Sequence, residues 1–122
     1  MPNGTLTYRR GEIWWVNLDP TIGNETKKRR PCLVLQNDIG NQNGQTTIVA
    51  PFLPGFKSYP FVANVKPTSA NGLDGDRHVN LSQMRAVDYR RLQKKLGVLE
   101  AKYWISIEDA VSIELGFSDV FL

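Results

Sequence analysis

A run of four basic residues, Lys27-Lys28-Arg29-Arg30, stands directly before Pro31 and a continuous apolar stretch. A guanidinium presents a planar fork that matches the oxygens of a phosphate, which makes Arg30 a candidate for phosphate binding. Proline disfavours a helical backbone for the residue before it, so Arg30 is predicted to enter an extended strand. A side chain rooted in a buried strand is held more rigidly than one in a loop. The sequence therefore predicts an anchored arginine able to stabilise charge on a phosphate.

Glu25 is the acidic candidate beside this run, five residues before Arg30. Its carboxylate could orient the Arg30 guanidinium or take part in proton transfer. The alternative is a solvated ion pair with one of the neighbouring bases, which would contribute about 0–1 kcal/mol. The sequence leaves both interpretations open.

Cofactor and metal chemistry are disfavoured by the composition, since the chain has one histidine and one cysteine. This excludes an acid–base pair of histidines within one subunit and argues against a structural zinc site. Asp74 and Asp76 flank Gly75, which is typical of a turn rather than of a metal site. His78 is predicted to be an ordinary strand residue. We expect neither a metal nor a cofactor.

The cellular compartment is predicted from three features. Cys32 cannot form a disulfide within the chain, which indicates a reducing environment. No basic-then-apolar leader opens the sequence. No apolar run approaches the roughly 20 residues that a membrane span requires. We therefore expect a cytoplasmic protein without a membrane role.

Charge is distributed unevenly along the chain. The net charge is +3 and the isoelectric point is near 9.2. Five acids and one base lie from Glu100 onward, a local net charge of −4, so the first 99 residues carry +7. Such a division indicates either a basic face for a polyanion with a separate acidic element, or simply a solvated surface.

The pattern of apolar residues predicts several short strands followed by one helix. Strands are predicted at 11–18, 32–36, 46–51, 60–65, 78–84 and 95–99, with a loop at 37–45 and a helical turn at 87–92. Apolar residues recur at helical spacing in the tail, at Tyr103, Trp104, Ile107, Ala110, Val111 and Leu115. Gly116 is predicted to end that helix.

This order of elements predicts one domain of the mainly β (α+β) class, a small and strongly curved sheet or barrel with a helix packed on it. Residues 1–8 are predicted to be a loose leader, 9–99 the β-barrel, 100–116 the helix and 117–122 a tail.

Several motifs at fixed spacing give the chain a more specific likeness. They are Arg10-Gly11-Glu12-Ile13-Trp14-Trp15-Val16-Asn17-Leu18-Asp19-Pro20, Gly23-Asn24-Glu25, Arg30-Pro31-Cys32-Leu33-Val34-Leu35-Gln36-Asn37-Asp38, Ile48-Val49-Ala50-Pro51 and Lys57-Ser58-Tyr59-Pro60-Phe61. Together they resemble the MazF/PemK (Kid) family of toxin–antitoxin endoribonucleases, from about Arg10 to Leu115.

The resemblance implies an SH3-like small β-barrel of the CcdB/PemK type, with a short helix and a C-terminal helix, acting as a homodimer. It implies sequence-specific cleavage of single-stranded RNA, mRNA included, without a metal, leaving 2′,3′-cyclic phosphate and 5′-hydroxyl ends. It also implies a cognate antitoxin with an acidic, partly disordered tail that covers the RNA groove.

Residue by residue, the resemblance makes Arg30 the main catalytic residue and Glu25 its acidic companion. The family has a threonine at the position of Leu53, and leucine cannot form a hydrogen bond with its side chain. Thr26, Ser58 and Thr47 are the candidate substitutes for that hydroxyl. The predicted RNA contacts are Lys27, Lys28, Arg29, Lys57, Gln83 and Arg85.

Because of Leu53, two further functions remain open at this point. One is a toxin of the same fold that poisons gyrase and does not cut RNA. The other is a module that binds RNA or antitoxin and has lost catalysis.

Overall fold

The computed structural model describes residues 7–19 and 28–118. The strands and helices are β1 (Glu12–Asn17), β2 (Arg29–Val34), α1 (Asp38–Asn43), β3 (Thr46–Pro54), β4 (Val62–Val65), β5 (Arg77–Asn80), β6 (Arg85–Asp88), β7 (Leu92–Val98) and α2 (Trp104–Glu114). Short 3₁₀ turns lie at Leu81–Gln83, Tyr89–Arg91 and Ala101–Tyr103. None of the helices in these residues is long and apolar enough to span a membrane.

All seven strands form one antiparallel sheet, in which the order is β4-β5-β3-β2-β1-β7 and β6 lies beside β3. Strand β3 organises the sheet because it pairs with three neighbours: β6 along its first half, β2 in the middle and β5 at its end. The order of the described strands ends at β4 and at β7, so the sheet that they form is not closed. The predicted mainly β fold with a C-terminal helix is confirmed in this open form.

Alternation along the strands creates a core on each face of the sheet. Ile13, Leu33 and Phe52 face α2 and pack in one cluster with Ile107 and Ala110 of that helix. The opposite face carries a second cluster that includes Val16, Cys32, Val34, Val49 and Tyr8. Burying each large apolar side chain contributes about 1.5–3 kcal/mol. The helix ends as predicted, because Gly116 adopts a φ of 79° just beyond it.

The loop predicted at 37–45 is wrong, since residues 38–43 form α1. The side chain of Asn37 caps this helix by accepting a hydrogen bond from the amide of Gly40. Asn41 is fully buried, and its Oδ1 accepts hydrogen bonds from Thr47 and Gln36. Asparagine is typical of loops, whereas here one asparagine caps the helix and another is satisfied in the core.

Three further boundaries differ from the sequence prediction. Tyr8 falls within the predicted loose leader but is 1% exposed and belongs to the second core cluster. The strand predicted at 78–84 ends at Asn80, whose side chain accepts a hydrogen bond from the amide of Ser82 and starts a 3₁₀ turn. The turn predicted at 87–92 is shorter, Tyr89–Arg91, and Leu92 already belongs to β7.

Two glycines allow the segment before β5 to lie against β7. Val98 donates a backbone hydrogen bond to Ala70. A Cβ on Gly72 would lie 2.2 Å from the carbonyl oxygen of Leu96, and a Cβ on Gly97 would lie 2.2 Å from that of Ala70. Gly72 also has a φ of 73°. This close approach of two backbones therefore depends on the absence of side chains.

Candidate active site

Arg30 is half-buried on β2, where its Cα pairs with that of Val16 on β1. Its carbonyl accepts a weak hydrogen bond from the thiol of Cys32 at 3.6 Å. Alternation places the Arg30 side chain on the same face of the sheet as Cys32, the face opposite α2. Arg30 is thus anchored in a paired strand, as the sequence predicted.

Arg85 on β6 brings a second positive charge to this face. Burial raises the pKa of the Cys32 thiol far above its ordinary value, and the charges of Arg85 and then Arg30 oppose that rise. Both guanidinium groups therefore act on the region of one buried thiol. The structure brings together two of the predicted site residues, Arg30 and Arg85, although they lie far apart in sequence.

The pairing between β2 and β3 ends beside Arg30. Its last pair is Cys32 with Pro51, and Pro31 comes next on β2. Pro31 would be the next residue to donate across this ladder, and proline has no N–H, so the ladder stops here. Continuing the register by two residues would place Arg30 opposite Leu53. Leu53 itself pairs with His78 of β5.

Arg29 lies on the other face from Arg30. Its guanidinium carbon is 4.5 Å from the centre of the Trp15 ring, and its Nε donates a hydrogen bond to Gln93 at 2.8 Å. The predicted pair of neighbouring arginines is therefore divided between the two faces. Arg29 is already engaged in a cation–π contact and does not join Arg30 and Arg85.

Two arginines hold the backbone where β1 ends. Arg85 donates a hydrogen bond to the carbonyl of Leu18 at 3.3 Å. Arg91 donates to the carbonyl of Asn17 at 3.1 Å and also to that of Asp19. Sequence reasoning missed Arg91, which is one of several bases in a charged run, and no sequence signal distinguishes it from Arg90.

The same backbone is joined to the start of β2. Leu18 donates a backbone hydrogen bond to the carbonyl of Lys28, and the amide of Lys28 donates to Asp19 Oδ1 at 2.9 Å. Lys28 has a φ of 67°, which is uncommon for a residue other than glycine. Glu25, Thr26 and Lys27, three of the predicted site residues, lie outside the described residues.

We expect Arg91→Met to loosen this junction, because it removes two hydrogen bonds from a charged group while keeping the aliphatic stem. The loss is about 2 kcal/mol of local stability, so trypsin should cut the 27–30 basic run about tenfold faster or more. The measurement is the rate of appearance of the two fragments under native conditions. The control is Arg90→Met, since Arg90 is exposed and pairs with Asp88. Equal rates for the two variants would contradict a role for Arg91 at the junction.

The remaining predicted residues differ in their access to this face. Thr47 is fully buried and donates its hydroxyl to Asn41 Oδ1 at 2.7 Å, so it has no surface to offer a substrate. Ser58 and Lys57 are exposed on the segment that follows β3. The backbone of Lys57 exchanges two hydrogen bonds with the side chain of Asn64. Gln83 is half-buried on the 3₁₀ turn between β5 and β6.

A different surface lies between α2 and the sheet. It is an apolar groove of about 330 Å³, lined among others by Leu35, Ile48, Met84 and Val111. Arg10 borders it, with its guanidinium 3.9 Å from the centre of the Trp104 ring. This groove contains none of the predicted site residues. Elsewhere in residues 7–19 and 28–118, no group of three or more His, Cys, Asp or Glu side chains is placed to hold a metal ion.

Comparison with known proteins assigns this architecture to a family. Residues 9–115 match the family described as PemK-like, MazF-like toxins of type II toxin–antitoxin systems. The chain belongs to the PemK/MazF toxin family. The match spans every described strand and helix, so the family assignment applies to the fold as a whole.

Curated relatives of this toxin carry enzyme names. It is 33% identical over 112 residues to the endoribonuclease MazF of Staphylococcus epidermidis, which covers 91% of this chain and 93% of that protein. It is 31% identical over 115 residues to the endoribonuclease EndoA of Bacillus subtilis, covering 93% of this chain and 99% of that protein. The prediction of a MazF/PemK-type endoribonuclease toxin is confirmed at this level, and a gyrase poison is not favoured.

Solved structures agree with the fold of this toxin. MazF from Deinococcus radiodurans superposes with a TM-score of 0.75 at 26% identity, covering 92% of this chain and 98% of that one. A mycobacterial endoribonuclease solved in complex with its cognate antitoxin superposes with a TM-score of 0.76 at 18% identity, covering 93% and 99%. The second of these shows the fold alone.

Proposed function

We propose that this toxin cleaves single-stranded RNA without a metal ion, with Arg30 as its main catalytic residue. The observation that carries the proposal is the anchoring of Arg30 in a paired strand, on the same face as Arg85. Catalysis depends on charge held in advance where the transition state will need it. A guanidinium fixed by β2 meets that requirement better than one on a loop.

The proposed reaction uses the ribose next to the scissile phosphate. Its 2′-hydroxyl loses a proton and the oxygen attacks phosphorus, while the bond from phosphorus to the 5′-oxygen breaks and that oxygen gains a proton. The products are a 2′,3′-cyclic phosphate and a 5′-hydroxyl. Arg30 would neutralise the negative charge that develops on the oxygens bound to phosphorus. Arg85 would add to the positive potential of the same face of the sheet.

The remaining predicted residues have supporting roles in the proposal. Glu25, five residues before Arg30 in the sequence, would orient the Arg30 guanidinium. Lys27, Lys28 and Lys57 would bind the RNA backbone through its phosphates, and Gln83 would contact a base. The phosphate contacts of the three lysines predict RNA binding that weakens steeply as the salt concentration is raised.

We further propose that the toxin acts in the cytoplasm as a homodimer and is inhibited by a cognate antitoxin. Support for the antitoxin comes from the mycobacterial neighbour solved with its antitoxin and from the MazE–MazF complexes of D. radiodurans, at 23–24% identity. The basic face that carries Arg30 and Arg85 is suited to an acidic segment of such a partner. A sedimentation mass of one chain would contradict the dimer.

The experiment is cleavage of a long single-stranded RNA by purified toxin in excess EDTA. We expect discrete fragments with cyclic phosphate ends, detected because phosphatase removes the terminal phosphate only after acid opens the ring. Identical fragments with and without EDTA support the proposal. RNA that stays intact in EDTA and is cut once magnesium is restored contradicts metal independence, and RNA intact in both contradicts the ribonuclease function itself.

A further inference from the structure

Leu53 and His78 lie side by side on the face that carries Arg30. The two residues are direct partners in the antiparallel pairing of β3 with β5. Directly opposite side chains in such a pair lie on the same face, with Cβ atoms about 4.5–5.5 Å apart. The register of β2 with β3 ends at Cys32 and Pro51, and carrying it two residues further would place Arg30 on the far side of Leu53. We refer to Arg30, Leu53 and His78, ordered by this extended register and by the pairing of Leu53 with His78, as the row.

The row is arginine, leucine and histidine, and its middle member cannot exchange a proton. Metal-free cleavage of RNA requires a group that removes the proton of the 2′-hydroxyl. Histidine is the side chain best suited to this near neutral pH. His78 is the one histidine of the chain. Its place at the end of this row is therefore chemically significant.

The hydrogen bonding of His78 fixes which ring nitrogen is available. Nδ1 lies 2.9 Å from the carbonyl oxygen of Gly55. A carbonyl only accepts, so Nδ1 carries the hydrogen and Nε2 of the neutral ring carries the lone pair. This is the tautomer that a base acting through Nε2 needs.

The His78 side chain occupies a largely enclosed position. His78 is 5% exposed. Nδ1 is the ring nitrogen that contacts the Gly55 carbonyl, and among the residues described no buried side-chain nitrogen or oxygen lacks a partner. Nε2 lies on the opposite side of the imidazole ring from that contact, so a bond made through Nε2 leaves the contact with Gly55 in place.

We propose that His78 is a second catalytic residue of this toxin, acting as the general base through Nε2. The proposal rests on the proposed ribonuclease function and deepens it. Nε2 takes the proton of the 2′-hydroxyl, the 2′-oxygen bonds to phosphorus, the bond to the 5′-oxygen breaks, and that oxygen takes a proton from water. The imidazolium then returns its proton to the hydroxide left behind, so no atom is gained or lost by the enzyme.

The spacing of the row suits one nucleotide. Two strand spacings separate β2 from β5, a distance of about 10 Å. The scissile phosphate would lie toward Arg30 and the ribose would lie above Leu53, within reach of His78. Leu53 then packs against the sugar. A hydroxyl at the position of Leu53 could assist the proton transfer, and in this protein His78 on the neighbouring strand β5 would carry it out instead.

The first test compares His78→Asn with His78→Ala in cleavage of a defined RNA in EDTA. The amide nitrogen of asparagine can replace Nδ1 in the contact with Gly55, but asparagine offers no base. We expect kcat to fall about 10²-fold or more in both variants, with KM changed less than about threefold, and added imidazole to restore part of the activity of His78→Ala. A His78→Asn enzyme whose kcat is within about threefold of wild type would overturn the proposal. His78 would then serve only to hold the backbone at Gly55.

A second measurement does not depend on a folded variant. Because His78 is the one histidine, its ring signal in the NMR spectrum of the untagged wild-type protein is unambiguous. Saturation with an uncleavable oligonucleotide, carrying 2′-deoxyribose at the scissile position, should shift that signal. An unshifted signal at saturation would overturn the proposal.

The wild-type protein separates the two proposals. Wild-type protein that leaves RNA intact would refute the ribonuclease function and, with it, the role of His78. Cleavage by wild type that disappears in Arg30→Ala but persists in His78→Asn would overturn the role of His78 alone.

Discussion

Replacing Arg30 with alanine is expected to slow RNA cleavage by about 10³-fold, the loss typical for removing a fixed donor to a developing negative charge. The change should act mainly on kcat, because the proposed function assigns the binding of the RNA backbone to several other basic residues. Cleavage should be measured with RNA in excess of enzyme, and folding checked by circular dichroism and thermal unfolding.

The matched control for Arg30→Ala is Arg90→Ala. This change removes the same charge from the same protein, but the Arg90 side chain is 77% exposed and pairs with Asp88 beside the 3₁₀ turn. We expect the control to cleave within about threefold of wild type. A folded Arg30→Ala protein that cleaves as fast as this control would show that another residue stabilises the transition state.

Gly72→Ala is expected to lower the free energy of unfolding by about 2–5 kcal/mol. A side chain at a positive φ costs about 1–2 kcal/mol, and forcing atoms into a packed site adds about 1–3 kcal/mol. Here the new Cβ would lie 2.2 Å from the Leu96 carbonyl oxygen, a backbone atom that cannot rotate away. The measurement is urea unfolding monitored by tryptophan fluorescence.

Gly75 supplies the control within the same loop. An added Cβ there would meet no atom within 4 Å, and its φ is not in the left-handed region. Gly75→Ala should therefore change the unfolding free energy by less than about 1 kcal/mol, and in the stabilising direction if the loop is unstrained. Similar midpoints for the two alanine variants would show that β7 shifts to accept the methyl group added at Gly72.

Local patterns in the sequence predicted the parts of this fold that depend on neighbouring residues. The apolar run around Cys32 is a buried strand, and the spacing from Tyr103 to Leu115 is a helix that ends before Gly116. Helix α1 escaped prediction because the burial of Asn41 depends on Thr47, which β3 brings to it. Local propensity could not foresee that contact.

The position of the candidate site residues was predictable where it depends on a local motif and unpredictable where it depends on the pairing of strands. Arg30 is identified by its place before Pro31. The neighbouring position of His78 and Leu53 follows from the pairing of β3 with β5, which no local pattern contains. The separation of Arg29 from Arg30 follows from strand alternation once β2 is known to begin at Arg29. The role of Arg91 could not be predicted, because it depends on a contact with the backbone of a residue 72 positions away in the sequence.

Cys32 is buried near the charges of Arg30 and Arg85, and its reactivity can therefore report how often the face of the sheet that carries these arginines opens. The thiol is fully buried and is kept protonated by its surroundings, so a thiol reagent can modify it only after the strands around it separate. The rate of modification then reports the opening equilibrium of this face. No engineered label is required, because the chain has no other cysteine. RNA or antitoxin bound over Arg30 would lower the rate of Cys32 modification. A ligand in the α2 groove would leave that rate unchanged unless the two faces of the sheet are coupled.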